Sequence, residues 1–496
     1  MLLCAAIRWR LVDIPLERDE GEYAYVAQLL LDGVPPFAQA YNMKMPGIYA
    51  AYAGVLAVFG ESHRGIHIAL LLVNGLTTVL LFLWLRRLFE RDVAALGAAI
   101  FALLSLVPSV QGIMANAEHF VLLFAMSALL VLAIAIESRK RRWVFLSGIL
   151  FGLAALMKQH GIFLAAFGAF LLGRALFSRA PTPWRGRGWT GTAFVAGVAL
   201  PFGALCLWLW AAGVFDRFWF WTFDYARAYT SQAPFSVGVR LLAANARDLV
   251  VDSPLLCLFA VVGLTGALRR KQREVPRGII LPFFLLSFLA TCPGFFFRPH
   301  YFILLAPAVA LASAMGLTLL ARRRTRGRPA AEAAVVLLLV ATLVQLVVEG
   351  PVYFRLPPTV VCRKMYGANP FPESLEIGRY IGENSADDET IAILGSEPQI
   401  CFYSRRRSAT GYIYVYALME RHPFALKMQK EMIAEIEAAR PRFIARVGVA
   451  TSWLVRNDSP RLIFQWAEPY LESHYRKVGE YPRGERTAVE LWERTD

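Results

Sequence analysis

The residues best placed to do chemistry stand in Arg18-Asp19-Glu20-Gly21-Glu22-Tyr23, three carboxylates and one arginine in six positions. A carboxylate at a partly shielded surface can act as general base toward a hydroxyl that loses its proton as it attacks. Asp19 is the candidate, with Glu20 as its neighbour and Tyr23 beside them. The same spacing has a structural reading. Asp19 followed three residues later by Glu22 is an aspartate version of the capping box. It predicts a helix from Glu20 to about Asp32, stopped by Gly33 and Pro35-Pro36. Tyr23, Val26, Ala27 and Leu30 share one face of it, as in a helix lying on a membrane interface.

Three more polar clusters interrupt an otherwise apolar chain. They are Tyr41 to Gly47, with Asn42 and Lys44; Ala115 to His119, with Asn116 and Glu118; and Arg298 to Tyr301, with His300. Each has a plainer role. Lys44 suits an anchor at lipid headgroups. Asn116 and Glu118 suit the cap of a helix that starts near His119. His300 sits where a loop enters an apolar segment.

The elements that must position these residues are membrane helices. The 496 residues are 57% hydrophobic with a mean hydropathy of +0.46. Soluble domains sit near 45–50% apolar. Apolar spans are expected at about 65–85, 93–110, 119–136, 143–157, 160–177, 189–212, 254–268, 278–293, 301–320 and 331–349, about ten in all. Met45 to Phe59 is shorter and suits a membrane-surface helix. The net charge of +15 does not point to nucleic acid. Arginine and lysine come in bursts at Arg86-Arg87, Arg139 to Arg142, Arg185 and Arg187, Arg269 to Arg273, and Arg322 to Arg328. Two spans separate each burst from the next, which places the bursts on the cytoplasmic side.

The intervening tips then face outward: the segment before residue 65, Ser109 to His119, the long loop Phe215 to Ser253, Cys292 to His300, and everything after Gly350. That puts all four polar clusters on the extracytoplasmic side. Lys158 is expected to snorkel to the same side, because a charge at mid-bilayer costs about 2.5–3.5 kcal/mol or more. A chain starting in the cytoplasm needs a further span before Asp19, and only Met1 to Ile7 is apolar there. The expectation is a missing N-terminal span. No cleavable signal peptide is visible.

The expected domains are a transmembrane domain over 1–349 and an extracytoplasmic α/β domain over 350–496. In the second, Glu373 to Glu383 and Phe424 to Ala439 read as helices. Ile391 to Leu394, Ile400 to Tyr403 and Arg442 to Val447 read as strands. No nucleotide motif and no Cys-x-x-Cys spacing is present. Cys362 and Cys401 form a possible pair in that domain; Cys4, Cys206, Cys257 and Cys292 read as packing residues. The aromatic run Phe218, Trp219, Phe220, Trp221, Phe223, Tyr225 and Tyr229 fits an interfacial belt or a groove for a lipid tail beside Asp224 and Arg227.

"RDEGEYAYVAQLLLDGVPPF", followed about ten residues later by a lysine and then Pro46-Gly47, resembles the first outer loop of GT-C superfamily membrane glycosyltransferases. The group is glycosyltransferase family 39, which includes protein O-mannosyltransferases and the bacterial aminoarabinose transferase of lipid A. "ANAEHF", "LAALMKQHGIF" and "RPHYFILLAP" extend the resemblance over roughly residues 17–320. It implies a GT-C architecture, mostly α and polytopic. It also implies transfer of a sugar from a polyprenyl-phosphate donor to a lipid, glycan or protein acceptor at the outer face of the cytoplasmic membrane. The family's first-loop acid maps onto Asp19, with Glu20 in the same motif, and its second-loop acid onto Glu118. Its lysine maps onto Lys44.

Relatives often carry a carboxylate where this chain has Asn42. That departure leaves metal use open, with a divalent metal possible and no cofactor certain. A polyprenyl phosphate leaves as an anion and needs positive charge rather than a general acid. Lys44, Arg298 and His300 are the candidates for holding it. Tyr23, Asn42, Asn116, Lys158 and Tyr301 complete the candidate substrate contacts. Two other classes fit the composition, a transporter or lipid-linked-sugar flippase and a non-catalytic envelope scaffold. A transporter places ionisable residues in mid-membrane, whereas here the spans are nearly free of charge.

Overall fold

The computed structural model describes residues 1–178, 186–269, 277–324, 329–483 and 486–495. Arg185, Arg270 to Arg273 and Arg326 to Arg328 of the basic bursts lie outside the described residues. The chain forms two compact units. The first comprises Met1–Val12, His67–Leu207 and Ala233–Leu356; the second comprises Asp13–Ile66, Trp208–Gln232 and Pro357–Asp496.

The first unit is a helical bundle of a multi-pass membrane protein. Each of the ten expected spans is helical over most of its length. Among the described residues, five helices are long and apolar enough to cross a membrane: His63–Leu85, Ala117–Ser138, Arg187–Ala211, Pro299–Arg322 and Ala330–Val348. The others are too short to meet that test on their own. Arg91–Leu104 has 14 residues, Arg141–Met157 and Gly161–Phe177 have 17 each, and Arg277–Leu289 has 13. Pro254–Leu268 forms a single candidate span only together with Phe235–Asp252, to which it is bent by 112°.

Close packing replaces a water-driven core here. Pro254–Leu268 and Ala306–Arg324 meet through Gly263 and Gly316. A Cβ at either position would lie 1.9 Å from a carbonyl oxygen of the opposite helix. Trp84, Phe167 and Phe283 interlock elsewhere, with ring centroids 4.8–6.2 Å apart.

The two ends of this bundle differ in chemistry. At one end the tips meet. Asp252 accepts from the Ser109 amide at 3.2 Å, Asn245 Nδ2 donates to the Phe297 carbonyl at 2.9 Å, and His300 Nδ1 lies 2.9 Å from Gln111 Oε1. At the other end, residues of or beside the basic bursts meet. Arg322 pairs with Glu90 at 3.1 Å, Arg87 with Glu137, and Arg174 donates to the Gly278 carbonyl at 2.5 Å.

The second unit is built on a five-stranded sheet. Its strands are β1 (Thr390–Leu394), β2 (Arg407–Ser408), β3 (Phe443–Val447), β4 (Tyr475–Arg483) and β5 (Arg486–Arg494). Their order is β2-β1-β3-β5-β4, with β1 parallel to β2 and β3, β5 antiparallel to β3, and β4 antiparallel to β5. β1 and β3 are almost wholly buried, as parallel strands covered on both faces must be.

Several expectations are corrected. Ile400 to Tyr403 is helical, within Gln399–Ser404. A four-residue apolar run does not distinguish strand from helix by its pattern. Phe215 to Ser253 is no loop. It runs as Phe215–Trp219, a π-helical turn over Phe220–Tyr225, then Ala226–Thr230 and Phe235–Asp252. Its aromatic residues divide between buried and accessible positions, with Trp219 exposed. Phe218, Trp221 and Tyr225 are buried, Phe218 packing on Phe37 and Trp221 on Tyr41 and Tyr412. Cys362 and Cys401 are not paired; all six cysteines are free thiols.

Candidate active site

The helix that carries the acidic motif runs over Arg18–Leu31. Its cap is not Asp19. Glu17 accepts from the Glu20 amide at 3.0 Å, and the Glu20 carboxylate accepts from the Glu17 amide at 3.2 Å, a complete capping box that starts earlier than expected. Asp19 is thereby released from the capping role. Nor does the helix lie on an interface with one apolar face. It is buried nearly all round, and Gly21 permits this. A Cβ on Gly21 would stand 2.5 Å from Gln399 Cβ.

Arg18 fixes the start of the helix. The residue is 7% exposed, and its guanidinium pairs with Glu397 at 2.6 Å. It also donates to Tyr416 Oη at 2.6 Å, to Asn369 Oδ1 at 3.1 Å and to the Ser396 carbonyl. Burial works against its charge, but Glu397 holds its pKa above the ordinary arginine value.

With the helix start held this way, Asp19 and Glu22 turn toward the loop before Gly47. Lys44 Nζ lies 2.7 Å from Asp19 Oδ1 and 2.9 Å from Glu22 Oε2. Asn42 Nδ2 and Tyr49 Oη donate to Glu22 at 2.7 and 2.6 Å. Tyr414, to which no sequence motif points, donates to Asp19 Oδ1 at 2.6 Å. The Lys44 ammonium sits over the rings of Tyr23, 4.6 Å away, and Tyr414, 5.4 Å away.

The exposures are graded. The Glu22 side chain is fully buried, while those of Asp19 and Lys44 are 18% and 19% exposed. Burial pushes the Glu22 carboxyl above its ordinary value despite Lys44. Burial alone would lower the Lys44 pKa, but Asp19 and Glu22 reverse this and raise it. The result is a lysine held in its charged form against a partly exposed aspartate.

Glu118, Lys158, His300 and Tyr301 meet in the first unit. Asn116 takes the N-cap position of Ala117–Ser138, but its side chain makes no capping bond. Asn116 is fully buried, and both its amide atoms lack a hydrogen-bond partner among the described residues. Glu118, also fully buried, pairs with Lys158 at 2.5 Å and lies 4.0 Å from His300 Nε2. Lys158 therefore does not snorkel alone. It sits over the Tyr301 ring at 4.3 Å, and Tyr301 packs against His160 and His300. Arg298 is exposed, with its guanidinium 5.6 Å from the Phe296 ring.

The candidate residues thus form two groups, one in each compact unit. Among the described residues, no group of three or more His, Cys, Asp or Glu side chains is placed to hold a metal ion.

Bundle and sheet together give the chain an architecture similar to that of membrane glycosyltransferases of GT-C fold. Residues 43–199 match the dolichyl-phosphate-mannose-protein mannosyltransferase family. The structure is similar to that of ArnT from Cupriavidus metallidurans bound to undecaprenyl phosphate. The TM-score is 0.62 at 16% identity, over 98% of this chain and 96% of that one. It is also similar to the oligosaccharyltransferase AglB from Archaeoglobus fulgidus in complex with an inhibitory peptide and a dolichol-phosphate. There the TM-score is 0.53 at 14% identity, over 98% of this chain and 73% of that one. No curated protein sequence matches significantly. The GT-C resemblance drawn from the sequence is borne out by these likenesses.

Proposed function

We propose that this protein transfers a sugar, a hexose or a pentose, from a polyprenyl-phosphate donor to an acceptor at the outer face of the cytoplasmic membrane. The acceptor is a lipid, glycan or protein. The observation that carries the reading is the Asp19–Lys44 pair, 2.7 Å apart and less than one-fifth exposed, within a chain that has the GT-C fold over nearly its whole length. Asp19 takes the proton of the acceptor hydroxyl as the oxygen attacks the anomeric carbon, and the polyprenyl phosphate departs with the bonding electrons. Lys44 keeps Asp19 ionised and oriented and adds positive charge where phosphate charge develops.

In the first unit, Arg298 and His300 offer the cationic donors that suit a phosphate. Lys158 neutralises Glu118 in the same group, and Asn116 and Tyr301 serve as substrate contacts. Tyr23 and Asn42 shape the Asp19 side by holding Lys44 and Glu22. Glu20 is committed to the helix cap. The Glu118–Lys158 pair stands at helix ends rather than in mid-span, which favours transferase over transporter.

Mass spectrometry of envelope glycans, glycolipids and glycoproteins tests this. Cells with the gene are expected to carry a sugar addition that is missing when the gene is deleted or replaced by its Asp19→Asn form. Identical glycans in all three strains overturn the reading.

A further inference from the structure

Tyr414 belongs to neither the acidic motif nor the membrane helices, yet its hydroxyl meets the atom on which the chemistry turns. It lies in the segment Gly411 to Tyr416, between β2 and β3. Tyr414 and Lys44 approach the same oxygen of Asp19, Oδ1, at 2.6 and 2.7 Å. Two donors on one carboxylate oxygen fix the rotation of the group as well as its position.

The tyrosine is itself held. Its ring packs edge-on against Tyr416 with centroids 5.2 Å apart, and Tyr416 donates to the Thr451 carbonyl at 2.8 Å and accepts from Arg18 at 2.6 Å. Ser396 Oγ accepts from the next amide, Val415, at 3.0 Å. The segment that presents Tyr414 is thus tied to the residue just before Asp19.

Building on the base role given to Asp19, we propose that Tyr414 is a positioning residue that holds the Asp19 carboxylate ionised and aimed for proton abstraction. Burial and the neighbouring Asp19 charge push the Tyr414 hydroxyl well above the ordinary tyrosine value, so it remains a donor throughout the working range. Other groups also act on Asp19. Lys44 contacts it directly, Glu17 and Glu22 lie on its own helix, and Tyr49, Tyr52 and Tyr366 feel its charge from the flanking helices. All but Tyr414 are unchanged in a Tyr414→Phe protein. Any change in the acid limb of the pH profile then reports the one lost hydrogen bond.

The test uses membranes holding the full chain, with radiolabelled mannose, glucose, galactose or aminoarabinose on undecaprenyl phosphate, across pH 5 to 9. Tyr414→Phe is expected to move the acid limb to higher pH by about one unit and to lower kcat roughly tenfold, with little change in donor KM. An inactive Asp19→Asn protein beside a Tyr414→Phe protein with wild-type rate and profile overturns the proposal alone. An active Asp19→Asn protein instead removes the base role on which it rests.

A second measurement needs no substrate. The thermal midpoint of the purified chain is expected to fall in Tyr414→Phe, whereas the same substitution added to an Asp19→Ala protein causes no further fall. Additive losses overturn the contact between the two residues whether or not any donor is turned over.

Discussion

A carboxylate works as a base only when its charge is held and aimed, and the proposed base, Asp19, meets Lys44 and Tyr414 from outside its own motif. Replacing Asp19 with Asn keeps the shape and removes the basicity. Transfer is expected to fall roughly 10²–10⁴-fold with the thermal midpoint nearly unchanged. Lys44 has a double role, because Glu22 is fully buried behind it. Lys44→Met leaves that carboxylate without its cation, and the loss is expected to be on the order of 3–5 kcal/mol in denaturant unfolding. Adding Glu22→Gln should recover much of it, and no recovery would mean that the pair carries little. Glu17 gives a pH signature of its own. Burial first, then Asp19 and Glu20, raise its folded-state pKa well above the ordinary carboxylate value. The folded protein then holds a proton that the unfolded chain has lost, so stability falls as pH rises from the ordinary carboxylate range toward the folded value. Glu17→Gln retains a capping oxygen without that charge. Its thermal midpoint should match the wild type near pH 4 and exceed it near pH 8.

At the scale of single elements, the acidic helix shows what was legible and what was not. Its existence, its end near Asp32 and its charged start follow from local residues. Its cap does not, because Glu17-x-x-Glu20 and Asp19-x-x-Glu22 overlap and aspartate is ordinarily the better N-cap. Tertiary contacts decide between them. The Leu16 amide is taken by Tyr403 Oη at 2.9 Å and Arg18 by Glu397, so the helix begins ahead of Asp19. The contact of Tyr414 with Asp19 was equally hidden, since nothing local links residues 395 positions apart. The hairpin of β4 and β5 was hidden because both strands mix charged and apolar residues too evenly to show a clean period. Gly21 turns this reading into a prediction. Alanine there puts a Cβ 2.5 Å from Gln399 and must push the acidic helix away from Gln399–Ser404. A cost of about 1–3 kcal/mol is expected by thermal unfolding, with transfer reduced because Asp19 sits on the displaced helix.

For the molecule as a whole, the basic bursts and apolar runs identified a polytopic membrane protein. The spans were legible because apolar length and positive charge are local quantities. The division of the aromatic run from Phe218 into buried and exposed positions was not, since composition alone is the same for both. The bundle has one end rich in polar tips and one end where arginines meet glutamates. We propose that the polar end faces outward. In a cysteine-free background, Arg247→Cys in spheroplasts should react with an impermeant maleimide, while Glu137→Cys should react only after permeabilisation. The reverse pattern would invert the topology. The most direct measurement is transfer itself, with purified full-length protein in liposomes, a panel of labelled undecaprenyl-phosphate sugars and an envelope extract as acceptor. Wild-type protein should move label from one donor into the extract while Asp19→Asn does not. Label moved equally by both, or by neither from any donor, contradicts the account.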